Sequence, residues 1–203
     1  MSNFKSPKLE MFEHYLAGKQ NRVSFKSYPP SRKTELLEVV HSDLCGPMKT
    51  KSLGGELYFV TFIDDCSRKL WVYVLKFKDQ VLDVFKQFQA SIERKTEKKL
   101  KYIRTDNGGE YYGPFDEYCK HQSIRHQTTP PKTPQLNGLA ERMNRTFIER
   151  VRCLLSKAKF PNSFWGETLL TVAHFINLSL AIALQSDVPN SVWYGKDVSY
   201  DYL

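Results

Sequence analysis

The chain has 203 residues, of which 41% are hydrophobic and 26% are charged, with ten glycines and ten prolines. This composition supports one packed domain and excludes a disordered, collagen-like or low-complexity protein. Thirty Lys and Arg against 22 Asp and Glu give a net charge of +8, which favours a polyanionic partner. The four cysteines are widely separated, which excludes a dense disulfide framework and indicates reduced thiols.

The sequence predicts neither a signal peptide nor a membrane span. Residues 1–10 lack the apolar segment of a secretory signal. The long apolar run at residues 168–184 contains His174 and Asn177, and it lacks the flanking basic residues of a membrane helix. We therefore interpret this run as a buried helix and expect a nuclear or cytoplasmic protein that is not secreted.

The first 34 residues differ in charge from the rest of the chain. They carry seven Lys or Arg and only two acidic residues, Glu10 and Glu13, and they end just after Pro29 and Pro30. This pattern predicts a basic N-terminal arm at residues 1–34, followed by the main domain at residues 35–203.

Three apolar runs open the main domain. Residues 36–45, 57–63 and 70–75 are rich in β-branched, aromatic and other apolar side chains, which predicts three strands. Asp64 and Asp65 lie between the second and third runs. A pair of carboxylates can bind a metal, but at this position a hairpin turn is the favoured interpretation.

Helices and strands alternate in the next part of the chain. Apolar residues from Val81 to Ile92 recur at helical spacing, and residues 100–105 predict a fourth strand that ends at the turn signal Asp106–Gly109. A short helix at 114–122 and a short strand at 124–128 follow. Residues 119–126 include one cysteine and two histidines, but they lack the fourth ligand of a structural zinc site.

Two more helices complete the pattern. Residues 129–138 hold three prolines and a glycine, which predicts a loop, and residues 140–158 then show helical periodicity. A final helix at about 163–180 is apolar on most sides, which predicts burial. The order of elements predicts a mixed α/β layered fold in which a hairpin meander is extended by parallel strands.

Three carboxylates stand out by position. Asp43 lies within the first strand, Asp106 follows the fourth strand, and Glu141 lies in the first turns of a helix. Such positions converge at one edge of an α/β sheet, where clustered carboxylates can hold Mg²⁺. On a helical wheel Arg145 and Arg152 fall within about 40° of Glu141, so both could meet phosphate.

The sequence around these residues resembles the integrase core of copia-type LTR retrotransposons, which is related to retroviral integrases. The resemblance covers residues 16–195. Five pieces carry it: GKQNRVSF (18–25), HSDLCGPM (41–48), YFVTFIDDCSRKLWVYVL (58–75), RTDNGGEY (104–111) and TPPKTPQLNGLAERMNRT (129–146). Asp106 and Glu141 are separated by 34 residues, close to the spacing typical of that family.

The resemblance implies an RNase H-like α/β fold, with a mixed five-stranded sheet flanked by helices. It implies that Asp43, Asp106 and Glu141 form the catalytic triad and hold Mg²⁺ or Mn²⁺, with two ions expected. The implied activity is DNA integration, in which the 3′-OH of element DNA attacks a target phosphodiester. The implied partners are element and target DNA and further copies of the chain.

The resemblance also implies contacts with DNA. Asn137 and Gly138 would belong to a mobile loop over the active site, while Asn144 and Arg145 would approach DNA. Arg152, placed near Glu141 by the helical wheel, is a further candidate.

Two features depart from the family pattern. Phe12 and Tyr15 occupy the positions of the Cys pair that precedes GK in the family, so we expect no zinc in the N-terminal arm. The sequence ends at Leu203, before any reverse transcriptase region, which suggests a truncated piece of a Pol polyprotein. A catalytically silent nucleic-acid-binding remnant is therefore the main alternative. An RNase H-type nuclease is a further one, which the piece at 129–146 disfavours.

Overall fold

The computed structural model describes residues 32–129 and 138–198. The chain divides into two compact units, residues 1–31 and residues 32–203. Most of the predicted N-terminal arm therefore lies outside the described residues, and the predicted boundary at residue 34 and the expected absence of zinc stay predictions. The structural account below concerns the second unit.

The described residues form a five-stranded mixed sheet, as the sequence and its resemblance predicted. Its strands are β1 (Val39–Cys45), β2 (Tyr58–Asp64), β3 (Leu70–Leu75), β4 (Tyr102–Thr105) and β5 (Arg125–Thr128). Their spatial order is β3-β2-β1-β4-β5. The first three strands form an antiparallel meander, and β4 and β5 add in parallel to β1. This confirms the predicted α/β class.

Helices cover the sheet. They are α1 (Val81–Thr96), α2 (Pro114–His121), α3 (Gly138–Ala158), α4 (Trp165–Asn177) and α5 (Pro189–Tyr194). Short 3₁₀ helices lie at Lys78–Gln80, Gly109–Tyr111, Asn162–Phe164 and Ile182–Leu184. The sequence did not predict α5, and α4 is shorter than predicted. The side chain of Asn177, the last residue of α4, bonds both the backbone N–H and the backbone C=O of Leu70 on β3.

Two hydrophobic clusters hold the layers together, one on each face of the sheet. Strand β2 supplies both, since Val60 and Phe62 point to one face while Phe59 and Ile63 point to the other. The first cluster contains Phe88 of α1, whose ring stacks on that of Phe62 with centroids 4.3 Å apart. The second packs α3 and α4 against the opposite face. All of β2 beyond its first residue is buried, as expected for a central strand.

The Asp64–Asp65 pair anchors the β2–β3 turn, which confirms the turn interpretation. Asp64 is fully buried and accepts hydrogen bonds from the backbone N–H of Leu37 and from both the N–H and the hydroxyl of Ser67. Asp65 accepts from Arg68 at 3.0 Å. Burial raises the pKa of Asp64, and these hydrogen bonds oppose the rise. Both carboxylates are thus used in joining the turn to neighbouring segments.

All four cysteines are free thiols. Across residues 32–129 and 138–198, no helix is long and apolar enough to cross a membrane.

Candidate active site

Asp43 lies in the interior strand β1, opposite Thr61 of β2, and is only 9% exposed. Its Oδ2 accepts a hydrogen bond of 2.8 Å from the side-chain amide of Asn144 on α3. Burial is the largest cause that raises the pKa of Asp43 to about 7, and the charge of Asp106 adds to it. A buried carboxyl whose pKa is raised in this way is a candidate for a functional site.

Asp106 follows the last residue of β4. The parallel register pairs His41 with Arg104, so two residues further along the strands Asp43 and Asp106 lie at the same edge of the sheet. The Asp106 Oδ1 accepts a 3.0 Å hydrogen bond from the backbone N–H of Gly108, which fixes the carboxylate in the turn. The structure therefore brings these two predicted residues together.

Glu141 lies in the first turn of α3 and is exposed, off the buried side of that helix. Its charge also raises the pKa of Asp43, so it faces the same edge of the sheet. Gly138, expected in a loop, is instead the first residue of α3, and its carbonyl accepts a hydrogen bond from Arg142. Asn137 lies outside the described residues.

Asn144 was expected to approach DNA, but the structure buries its side chain. It is 4% exposed, its amide donates to Asp43, and its Oδ1 accepts a 3.0 Å hydrogen bond from the Thr61 hydroxyl. A buried amide whose hydrogen bonds are made within the protein has little left to offer a phosphate. Asn144 therefore positions Asp43, whereas Arg145 and Arg152 of the same helix are exposed.

The sequence analysis missed Glu110, which lies in the 3₁₀ helix Gly109–Tyr111 just after Asp106. Its charge is a further cause that raises the pKa of Asp43. The signal was present in the sequence, because Glu110 belongs to the turn piece that also holds Asp106. Glu110 thus adds a fourth carboxylate to this edge of the sheet.

A series of hydrogen-bonded polar side chains supports the backbone of Asp106. The Thr105 hydroxyl donates to the backbone carbonyl of Asp106 at 2.9 Å, and the Nε2 of His126 lies 2.8 Å from the same hydroxyl. The Nδ1 of His126 in turn donates to Asp116 on α2. Thr105 is fully buried. The sequence analysis considered His126 only as a metal ligand, but in the structure both of its ring nitrogens belong to this hydrogen-bonded series.

We expect Thr105→Val to lower the rate of any reaction at this site about tenfold, because the loss of the hydroxyl frees the Asp106 backbone and leaves Nε2 of His126 buried without a partner. Thr105→Ser keeps the hydroxyl and is the matched control. Activity and urea unfolding would be measured for both variants. Equal activity of the Val and Ser variants would show that this series of hydrogen bonds does not position Asp106.

Carboxylate oxygens are suitable ligands for a hard divalent cation, but the side chains described here do not form a complete metal site. Within residues 32–129 and 138–198, no three His, Cys, Asp or Glu side chains lie close enough together to hold a metal ion. The mutual repulsion that helps to raise the pKa of Asp43 is the interaction that a cation would relieve. Oxygen donors of this kind are those that Mg²⁺ and Mn²⁺ prefer.

The sheet order and the helices on both faces define the class of protein, an RNase H-like α/β domain. Residues 34–134 match the family described as "Integrase core domain". The chain is 52% identical over 204 residues to the retrovirus-related Pol polyprotein from transposon TNT 1-94 of Nicotiana tabacum, an alignment that covers 100% of this chain. It is 33% identical to the corresponding polyprotein from transposon RE1 of Arabidopsis thaliana, over 93% of this chain.

The chain therefore belongs to the integrase core domain family, and it is similar to one part of copia-type retrotransposon Pol polyproteins. The chain spans only 15% and 13% of the length of the two plant polyproteins.

Solved structures share the fold. A chain of the simian T-cell lymphotropic virus intasome, determined in complex with PP2A regulatory subunit B56 gamma, matches 95% of this chain and 75% of its own length with a TM-score of 0.67. The HTLV-2 integrase catalytic core domain in complex with magnesium, in its dimeric form, matches 78% of this chain and 97% of its own length with a TM-score of 0.57. Sequence identities are 17% and 18%, so these neighbours establish the fold alone.

Proposed function

We propose that this domain cuts and joins DNA strands by divalent-metal-dependent polynucleotidyl transfer, in which a DNA 3′-OH attacks a phosphodiester of a target duplex. The observation that carries the proposal is geometric: β1 and β4 bring Asp43 and Asp106 to the same end of the sheet, and Asn144, three residues after Glu141 on α3, donates a hydrogen bond to Asp43 there. Membership of the integrase core family supports the same reaction.

Asp43 and Asp106 would hold the cations, two being expected, and Glu141 would complete their coordination. When bound, such ions activate the attacking oxygen and stabilise the leaving 3′ oxygen of the phosphodiester. Asn144 holds Oδ2 of Asp43 through its amide, which leaves Oδ1 of that carboxylate free of this hydrogen bond. The two strands and α3 would thus bring the three acids to the same end of the sheet.

DNA is the proposed partner. Exposed Arg145 and Arg152 extend along α3 on the side of Glu141, and the chain as a whole carries a charge of +8. Asn137 and Gly138 immediately precede the Glu141 turn and would approach the DNA there. Acting on chromosomal DNA would require the protein to reach the nucleus.

The comparisons support a metal ion and an assembly of several copies. The HTLV-2 core was determined with magnesium in a dimeric form, and the simian virus chain belongs to an intasome. We propose Mg²⁺ or Mn²⁺ and a homo-oligomer for this chain as well. Exposed apolar side chains are available for such contacts, including Leu170 of α4 at 49% exposure.

Strand transfer on a short labelled duplex with Mn²⁺ tests the proposal. We expect metal-dependent joining by the parent chain and none by Glu141→Gln, because the amide removes a carboxylate that completes the metal site. Exposed Glu149 lies on the same helix, so Glu149→Gln is the matched control and should retain joining.

Binding of DNA without joining, by a folded parent chain, would contradict the proposal and favour a catalytically silent remnant. Preferential cleavage of an RNA–DNA hybrid would instead indicate an RNase H-type nuclease. A binding constant that does not change between low and high salt would count against DNA as the partner, because phosphate contacts release counterions.

A further inference from the structure

Two fully buried hydroxyl groups form a hydrogen bond next to the candidate active site. The Oγ of Ser42 on β1 lies 2.9 Å from the phenol oxygen of Tyr111, and both residues are 0% exposed. Ser42 directly precedes Asp43, and the alternation of side chains along the strand turns it to the face of the sheet that α1 covers. Tyr111 is the last residue of the 3₁₀ helix Gly109–Tyr111, and it belongs to the hydrophobic cluster on that face.

This pair of hydroxyl groups contributes little to the packing of the core. The ring of Tyr111 already packs edge-on against Phe115, with centroids 5.2 Å apart, so the apolar contact does not require the phenol oxygen. Removing two hydroxyls from water costs much of the free energy that their mutual hydrogen bond returns, whereas the bond still fixes the distance between the groups it joins. The pair is therefore better suited to hold a geometry than to stabilise the fold.

The hydroxyl pair connects β1 with the turn that carries Asp106. The parallel register of β1 and β4 ends at His41 on β1, before either of the two candidate acids on these segments is reached. Beyond that point the backbone N–H of Tyr111 donates to the Gly108 carbonyl at 3.1 Å, and the Gly108 N–H donates to Oδ1 of Asp106 at 3.0 Å. A continuous series of hydrogen bonds thus runs from Ser42 through Tyr111 to the carboxylate of Asp106.

We propose that Tyr111 is a positioning residue for divalent-metal binding, because its hydroxyl group holds the Asp106 turn at a fixed distance from Asp43 through Ser42. The inference rests on the proposed function, in which these two carboxylates hold the cations. Burial is the largest cause that raises the pKa of Tyr111 well above its ordinary value, and the charges of Asp43 and Asp106 add to the rise. The phenol therefore stays neutral and adds no charge to the metal site.

Tyr111→Phe removes the phenol oxygen and keeps the ring, and the test measures how the variant depends on Mn²⁺. Thermal unfolding of the full chain would be followed as Mn²⁺ is added without DNA, and joining of the labelled duplex over the same Mn²⁺ range. We expect the half-saturating Mn²⁺ concentration to rise about fivefold in both experiments, within the range that one net hydrogen bond supplies. Joining at saturating Mn²⁺ should fall less, because the carboxylates themselves are unchanged.

Tyr118→Phe is the matched control, because the Tyr118 hydroxyl donates to Gln89 at 3.0 Å and so joins α2 to α1 rather than to β1. It removes the same atom and should leave the Mn²⁺ dependence unchanged. Ser42→Ala should raise the half-saturating Mn²⁺ concentration as Tyr111→Phe does. The combined variant should show no further rise, because both substitutions remove one and the same hydrogen bond.

Equal Mn²⁺ dependence of the two phenylalanine variants, beside a parent chain that joins DNA, would overturn this inference and leave the proposed function standing. Additive effects of Ser42→Ala and Tyr111→Phe would also overturn it, because their hydrogen bond would then not be the cause. Failure of the folded parent chain to join DNA at any Mn²⁺ concentration would overturn the proposed function and this inference with it.

Discussion

Asp43→Asn should abolish metal-dependent joining and, in the absence of metal, make the folded chain more stable at pH 8. The loss of activity should be at least about 10³-fold, since the substitution removes a carboxylate proposed to hold the metal ions, which supply several kcal/mol in the transition state. The gain in stability follows from the electrostatics of the carboxyl group, which is buried and surrounded by like charges.

The sign of the stability change comes from the pKa of Asp43. Burial and the charges of Asp106 and Glu141 raise it to about 7 in the folded chain, against an ordinary value of 3.8. The folded chain favours protonated Asp43. The resulting contribution to the free energy of unfolding is fully present below pH 3.8 and is lost as the pH rises through about 7. At pH 8 this cost is on the order of 2–4 kcal/mol, and Asn does not bear it.

Urea unfolding in EDTA at pH 4 and at pH 8 would measure the effect. The two proteins should be similar at pH 4 and differ at pH 8, and added Mg²⁺ should stabilise the parent more than the variant. Asp83→Asn, at an exposed carboxylate on α1, is the matched control and should show no such difference. A variant less stable than the parent at pH 8 would show that the hydrogen bond between Asp43 and Asn144 needs a charged acceptor.

The layered fold was predictable because its signals are local. The apolar runs of β1 to β3 and the helical spacing of α1 have few competing interpretations, and the Asp–Asn–Gly–Gly turn after β4 gives the position of Asp106. The sequence could not predict α5. It has only six residues, and it is held by Trp193, which packs against Trp71 of a distant strand. Contacts of that kind leave no periodic pattern in the sequence.

The sequence predicted acids for the candidate site but not the residues that support them. On α3 the polar residue Asn144 is buried together with Leu155, whereas the neighbouring apolar residues Met143 and Leu154 are only half-buried. A polar residue is stable in that position only because Asp43 and Thr61 satisfy its amide, and these partners lie on other elements. Sequence spacing does not encode a hydrogen bond across 101 residues.

We expect Asp64→Ala to cost about 3–5 kcal/mol of unfolding free energy, a large part of the stability of an ordinary domain. Asp64 is fully buried, and its carboxylate accepts from the N–H of Leu37 at 2.9 Å and from the N–H and hydroxyl of Ser67 at 2.8 and 2.7 Å. Alanine would leave these three donors without their acceptor in a dry interior, at about 1–3 kcal/mol for each group left unsatisfied.

Urea unfolding at pH 7 is the measurement, with Asp64→Asn as the matched control. Asn keeps one acceptor oxygen, so its loss should be clearly smaller. Joining activity per folded molecule should survive in both variants, because Asp64 lies opposite Val40, three residues before Asp43 on β1. Unchanged stability together with lost joining would reverse the assignment and make Asp64 a functional carboxylate. The expected pattern separates an acid that stabilises the fold from the acids proposed to carry out the chemistry.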